Sequence, residues 1–140
     1  QQAFAIADVL AREGGFDEQA LMRLWQKMAA VEISVTDRKT GRKKRSKISF
    51  GCHRGTGRIF RRAVKTAAGR PSQAVCTVSD HADDGAAMRV APVALFHWAD
   101  EAARVDAAVR SAVVTHGHPL AAAAAVAALW QSIRLASSPP

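Results

Sequence analysis

The sequence predicts an all-helical domain, and two observations carry that expectation. Apolar residues recur at 3.6-residue spacing in several separate stretches, the period of one helix face. Alanine is very abundant and Tyr is absent; Ala loses no side-chain entropy on entering a helix.

The elements follow in order. Residues 1–13 read as a helix with Ala3, Phe4, Ala7, Leu10 and Ala11 on one stripe. Gly14 and Gly15 end it, because Gly tolerates the left-handed conformation at a helix C-terminus. Asp17 is a natural N-cap for a second helix over 18–29, with Leu21, Leu24, Trp25 and Met28 as its apolar face. Residues 31–35 alternate apolar and polar side chains, the pattern of a short strand. Residues 37–47 form a charged loop with seven Lys or Arg side chains, so the segment near 31–50 is an irregular basic loop or a small hairpin.

Residues 51–57 are Gly-rich and lead into a helix near 56–68, with Ile59, Phe60 and Val64 facing the core and Gly69 at its end. Ser72 is a candidate N-cap after Pro71. A polar loop over 79–85 runs into an apolar helix over 86–98, which Pro92 is expected to kink by removing a backbone donor. Residues 100–114 form an amphipathic helix, 115–119 interrupt the pattern, and 120–135 form an Ala-rich last helix able to pack closely on its neighbours. The expected organisation is one partial helical domain over 1–136 and a tail over 137–140.

Bulk properties narrow the function classes. The chain has 140 residues, 49% hydrophobic and 23% charged, the size and balance of one soluble globular domain with a real core. Its formal net charge is +8, which attracts anions such as nucleic acid, acidic membranes or phosphate-bearing small molecules. Cys52 and Cys76 are the two cysteines; without a signal peptide they point to a reducing, cytoplasmic setting rather than a disulfide. No run reaches the roughly 18 uninterrupted apolar residues of a membrane span, so a membrane is not an expected partner. The opening has no basic start, no cleavage site and no Met, and it begins in mid-helix, as an internal piece of a longer chain would.

Four segments could carry chemistry. In the first, Asp83, Asp84, Gly85, Ala86 and Ala87 lead into a helix start. Backbone N–H groups there lack intrahelical partners, and with the helix dipole they favour an anion. Gly85 lets a ligand approach the backbone, and the two carboxylates can accept hydrogen bonds from sugar hydroxyls. The plain alternative is that both Asp residues only cap the helix.

The second segment is Thr115-His116-Gly117-His118. A His between two helices can reach a pyrophosphate or a reacting group; the alternative is a loop His bonded to backbone. Spacing of i and i+2 is a poor metal pair, since facing ligands on a helix sit at i and i+4. The third, 51–58, resembles a phosphate-cradling loop but lacks the Gly-Lys-Ser/Thr ending of a P-loop. Cys52 beside His53 is not a working nucleophile pair, because sequence neighbours rarely are. The fourth is the basic run 38–47, which has no zinc-finger or RNA-binding motif beside it and reads as a solvated loop.

Together these blocks resemble the ADP-ribosylglycohydrolase family. Its loop-helix block has the form Gly-Asn-Gly-(Ala/Ser)-(Ala/Leu)-Met-Arg-(Val/Leu)-Ala-Pro. Asp84-Gly85-Ala86-Ala87-Met88-Arg89-Val90-Ala91-Pro92 is similar to it, with Asp84 in place of Asn and Asp83 in place of the first Gly. Thr115-His116-Gly117-His118-Pro119 resembles the family's Thr-His-x-His-Pro, and Gly55-Thr56 its Gly-rich turn opening a helix. Gln1-Gln2-Ala3-Phe4-Ala5-Ile6-Ala7-Asp8 is similar to the stretch that commonly follows the family's Thr-Asp-Asp-Thr motif.

The resemblance implies an all-α, metal-dependent bundle that removes ADP-ribose from a modified target, with ADP-ribose or an ADP-ribosylated protein as partner. It implies two Mg²⁺ ions, whose ligands would lie before Gln1 and beyond Pro140, so this chain would hold neither metal ligands nor catalytic groups and would be inactive alone. Asp83, Asp84, Gly85, Ala86, Ala87 and His116 would line the ADP-ribose site: Asp84 bonds a ribose hydroxyl, His116 sits against the diphosphate. Arg89 would instead pair with an acid inside the bundle. Ionised Asp84 can only accept hydrogen bonds, where the family Asn also donates. Two other readings stand beside this one: a module that holds ADP-ribose or another nucleotide without cleaving it, and, more weakly, a basic nucleic-acid-binding helical protein.

Overall fold

The computed structural model describes residues 1–29, 56–67 and 82–137, and the backbone of two short strands at 33–36 and 43–46. Six α-helices and one two-stranded hairpin make up these described residues. Ser72, Cys52, His53, Cys76 and Gly69 lie outside them.

Helix α1 (Gln2–Glu13) ends on Gly14, whose φ of 69° is left-handed. That conformation is strained for any residue with a Cβ, which is why Gly closes the helix. Asp17 accepts from the Ala20 N–H at 2.6 Å and so caps α2 (Glu18–Ala29). The buried stripe of α1 is Ala5, Ile6, Val9 and Leu10, not the one expected: of Ala3, Phe4, Ala7, Leu10 and Ala11, Leu10 alone is buried, and Phe4 is 79% exposed. The helix is apolar around most of its circumference, so spacing permits two phases, and the phase that buries Ile6, Val9 and Leu10 removes more apolar area from water.

The strands β1 (Ile33–Thr36) and β2 (Lys43–Ser46) pair antiparallel, Ile33 opposite Ser46 and Thr36 opposite Lys43. The expected charged loop over 37–47 therefore contains a strand. Helix α3 (Arg58–Ala67) buries Phe60, Ala63, Val64 and Ala67, and Arg58, Arg61, Arg62 and Lys65 lie on its exposed face. Arg61 donates from Nε to the Thr56 hydroxyl at 2.8 Å, tying the entry of the helix to its first turns.

The apolar segment expected as one kinked helix over 86–98 is two pieces. A 3₁₀ turn (Ala87–Arg89) is followed by the short helix α4 (Ala91–Phe96), with Pro92 in its first turn. Proline lacks only an N–H that has no intrahelical acceptor at that position, and its fixed φ suits a helix start, so it begins a helix here instead of bending one. Asp100 caps α5 (Glu101–Val113) through the Ala103 N–H at 2.9 Å. Helix α6 (Pro119–Ser137) begins on a proline for the same reason as α4.

Helix α6 packs against α5, α4 and the 3₁₀ turn, while α1 packs against α4 and α2, and α2 against α3. Its buried positions Ala121, Ala125 and Leu129 fall four residues apart, a narrow stripe on which small side chains permit close approach. The helix is long and apolar enough to cross a membrane by length and composition, with a mean hydropathy of 1.3, a length the uninterrupted-run criterion did not pick out. In the centre, Trp25 meets Phe60 edge to face at 5.1 Å, an arrangement that sets ring edge against π-face. This core holds the loop before the 3₁₀ turn against the loop between α5 and α6, and the candidate site forms there.

Candidate functional site

Two segments far apart in sequence meet at one cleft. From the first, Asp83 accepts from the Gly85 N–H at 2.9 Å through Oδ1. From the second, His116 brings Nε2 to 2.6 Å from the same Oδ1. Asp83, Asp84, Gly85 and His116 line the cleft with Gln2, Gly57, Phe60 and Met88, around a volume of about 180 Å³. That is below the roughly 300 Å³ at which small-molecule pockets usually begin, and it suits part of a ligand more than a whole dinucleotide.

His116 is only 2% exposed. Its other nitrogen, Nδ1, lies 2.6 Å from the Thr115 hydroxyl. Burial pushes its pKa below the usual imidazole value, and the charge of Arg89 pushes the same way; Asp83 pulls it back only in part. His116 is therefore neutral at pH 7.

Behind the histidine stands Arg89, fully buried. Nη2 donates to the Thr115 hydroxyl at 2.6 Å and to the Ser111 carbonyl at 2.8 Å, and Nη1 donates to Gln2 Oε1 at 2.9 Å. Its guanidinium lies 4.8 Å from the centre of the Trp25 ring, a cation–π contact that offsets part of the lost hydration. Burial lowers its pKa to about 9, which still leaves it charged at pH 7. The expected acid partner is absent among the described residues: the acceptors around the guanidinium are neutral oxygens. A carbonyl of α5, a hydroxyl and a side-chain amide hold the cation in place of a carboxylate.

The six residues singled out in the sequence divide. Asp83, Asp84, Gly85 and His116 come together on the cleft wall. Ala86 is fully buried in the core, and Ala87 is partly buried at the start of the 3₁₀ turn. The long helix on which the anion argument rested is replaced by a three-residue turn and a six-residue helix, which sum to a much smaller dipole. The Gly85 N–H already serves Asp83. The space beside Gly85 is taken by the histidine: a Cβ there would lie 2.7 Å from His116 Nε2. Close approach to the Gly85 backbone is made by a side chain of the protein itself.

His118 behaves differently from its neighbour. Its Nδ1 accepts from the Leu120 N–H at 3.1 Å and its carbonyl accepts from Ala121, so it serves the start of α6. Gln2, Gly57, Phe60 and Met88 were not foreseen as lining residues. Met88 lies within the 84–92 block and Gln2 within the opening block, and position inside a recognised block was the one signal available for either.

The ADP-ribosylglycohydrolase family model matches residues 1–138. The chain belongs to the ADP-ribosylglycohydrolase family. No curated protein and no solved structure matches it. Membership brings a glycohydrolase-type function in general terms, and the family as a whole acts on ADP-ribosylated substrates.

ADP-ribosylglycohydrolases are generally metal-dependent. Among the described residues, no group of three or more His, Cys, Asp or Glu side chains is placed to hold a metal ion. Asp83 and Asp84 are adjacent carboxylates on an exposed turn, and the nearby His116 presents to Asp83 a nitrogen already bonded. These residues do not fit a metal site.

Proposed function

We propose that this protein removes ADP-ribose from a modified target and that the cleft between Asp83 and His116 holds part of the ADP-ribose. The observation that carries this reading is the convergence of the 83–85 turn and His116, separated in sequence by α4 and α5, on one concave surface. The two segments are those by which the sequence resembles the family.

In this reading Asp84, exposed on the wall, accepts a hydrogen bond from a ribose hydroxyl. The neutral His116 offers a donor at Nε2 to a phosphate or sugar oxygen, once Asp83 moves aside. Neutrality suits that task, since the ring orients the ligand without titrating near pH 7. The carboxylates of Asp83 and Asp84 repel a diphosphate placed directly against them, which favours the ribose end of the ligand beside the turn and the diphosphate further toward the Gly57 side. Mg²⁺ remains the metal proposed by resemblance, held by residues other than those described.

Calorimetry with ADP-ribose on the full chain and its His116→Ala variant tests the reading. A loss of affinity of about tenfold or more, the size of one lost charge-assisted hydrogen bond, is expected. Equal affinity for the two proteins would remove His116 from the site. Release of ADP-ribose from a modified protein in the presence of Mg²⁺ would rule out the other reading, a non-catalytic ADP-ribose-binding module.

A further inference from the structure

We infer that Arg89 and Thr115 are positioning residues: together they hold the neutral ring of His116 in the tautomer that carries its proton on Nε2, facing the cleft. This rests on the reading of that cleft as the ligand site.

The argument runs inward to outward along one chain of contacts. Arg89 has donors and no acceptor, so at 2.6 Å from the Thr115 hydroxyl it must donate. The Thr115 side chain is fully buried, and the contacts of its hydroxyl are Arg89 and His116 Nδ1. Its single hydrogen has one acceptor within reach, Nδ1. Were Nδ1 to carry the proton instead, the hydroxyl hydrogen would be left buried without a partner, and burial makes such a loss costly. Nδ1 therefore accepts, and the ring proton sits on Nε2. At the far end, Asp83 Oδ1 lies 2.6 Å from Nε2, and an ionised carboxylate there also requires an N–H.

The two ends of the ring agree in the free protein, but they do not agree once a ligand enters. A ligand oxygen that takes the Nε2 proton must displace Asp83, and the carboxylate can then no longer select the tautomer. The Arg89–Thr115 end is buried away from the cleft and stays. It keeps Nε2 a donor at the moment a ligand needs one. Without it, a displaced Asp83 would leave the ring free to present a lone pair, which repels a phosphate oxygen.

Nitrogen-15 spectroscopy of the histidine rings in the ligand-free full chain, with His116 assigned by His116→Gln, reads the tautomer directly. The expected result is Nε2–H in the wild type and still Nε2–H in Asp83→Ala, where only Thr115 remains to select it. Asp83→Ala combined with Thr115→Val should give a mixture, and Asp83→Ala with Thr115→Ser should restore the single form. A mixture in Asp83→Ala alone would overturn the proposal, as would a pure Nε2–H ring in the Asp83→Ala, Thr115→Val protein. Asp83 is on the surface, so the single variant decides the matter even if the double variant fails to fold. ADP-ribose plays no part in this measurement: failure to bind ADP-ribose would strike the functional reading and leave the tautomer result standing.

Discussion

His116 Nε2 lies 2.6 Å from Asp83 Oδ1, and the same nitrogen lies 2.7 Å from where a side chain on Gly85 would begin. The turn and the histidine are thus fitted to each other with no spare room. A carboxylate, a backbone N–H and a buried imidazole share one small volume, and the glycine is what allows it.

Gly85→Ala should therefore disturb the site directly. The added methyl would meet His116 Nε2 at 2.7 Å and Cε1 at 2.9 Å, distances that require movement. The ring is buried and bonded at both nitrogens, so it cannot swing away freely. A loss of stability of about 1–3 kcal/mol is expected, the usual cost of overpacking, together with weaker ADP-ribose binding. Urea unfolding and calorimetry check both. Wild-type values in both would show that the turn yields easily and that the fit is not a constraint.

Arg89→Lys should be poorly tolerated despite keeping the charge. The guanidinium reaches Gln2, Ser111 and Thr115 at once from two nitrogens; a single ammonium cannot span those acceptors, and it is more strongly hydrated and so more costly to bury. A destabilisation of about 2–4 kcal/mol is expected from the lost charge-assisted bonds. A shift in the urea midpoint worth less than about 0.5 kcal/mol, the range of an ordinary surface substitution, would mean that the cluster rearranges around the lysine.

Much of the fold was legible because its signals are local. Asp17 caps α2 where an Asp precedes an apolar period, and Gly14 closes α1 where a left-handed residue is needed. The misses share a cause: each depended on a partner distant in sequence. The phase of α1 was ambiguous until α4 and α2 selected the face holding Ile6, Val9 and Leu10. Arg89 looked like one half of an ion pair, whereas its acceptors come from α1, from α5 and from Thr115. Pro92 read as a kink because the break at Val90 leaves no mark in the apolar pattern. At the site, Asp83 and Asp84 taken by spacing alone are ordinary capping residues. Only the paired blocks at 84–92 and 115–119 said that the turn and His116 belong together; the Gly-rich stretch 51–58 resembled a phosphate-cradling loop, but nothing local placed Gly57 or Phe60 beside that turn.

Protonation of His116 links stability to pH with a definite sign. Burial and Arg89 hold its folded pKa below the ordinary value of 6.5, so near that pH the unfolded chain binds more protons. Stability from this group is then fully present above 6.5 and falls as pH drops from 6.5 through the lowered folded pKa, below which the loss levels off. Thermal unfolding of wild type and His116→Gln between pH 7.5 and 5 should show a steeper fall for the wild type. Parallel curves would mean that Asp83 compensates the ring on protonation.

Arg110 and Glu18 should govern a second, more acidic limb. Arg110 on α5 donates from Nε to Glu18 Oε1 at 2.5 Å and from Nη2 to Oε2 at 2.6 Å, and the same Nη2 reaches the Phe16 carbonyl at 3.0 Å. The forked pair fastens α5 to the entry of α2. It holds the Glu18 pKa below its ordinary 4.5, chiefly through the hydrogen bonds from Arg110 and against the opposing effect of burial. A carboxylate with a lowered folded pKa contributes stability that is present above its unfolded value and is lost as pH falls through the folded one. Glu18→Gln should therefore lower stability at neutral pH, and its difference from the wild type should shrink as pH falls from 4.5 through the lowered folded pKa. The Arg110 side chain is 39% exposed, so solvent screens the pair and the neutral-pH difference should stay at or under about 1 kcal/mol. The same variant should lose the part of the salt sensitivity that the Arg110–Glu18 pair contributes, while the Arg110–Asp106 pair at 3.3 Å remains to be screened. Unfolding midpoints at pH 7 and pH 3.5, each at low and high salt, separate these outcomes: a difference that persists undiminished at pH 3.5 would assign the effect to lost packing at the α2–α5 joint and not to charge.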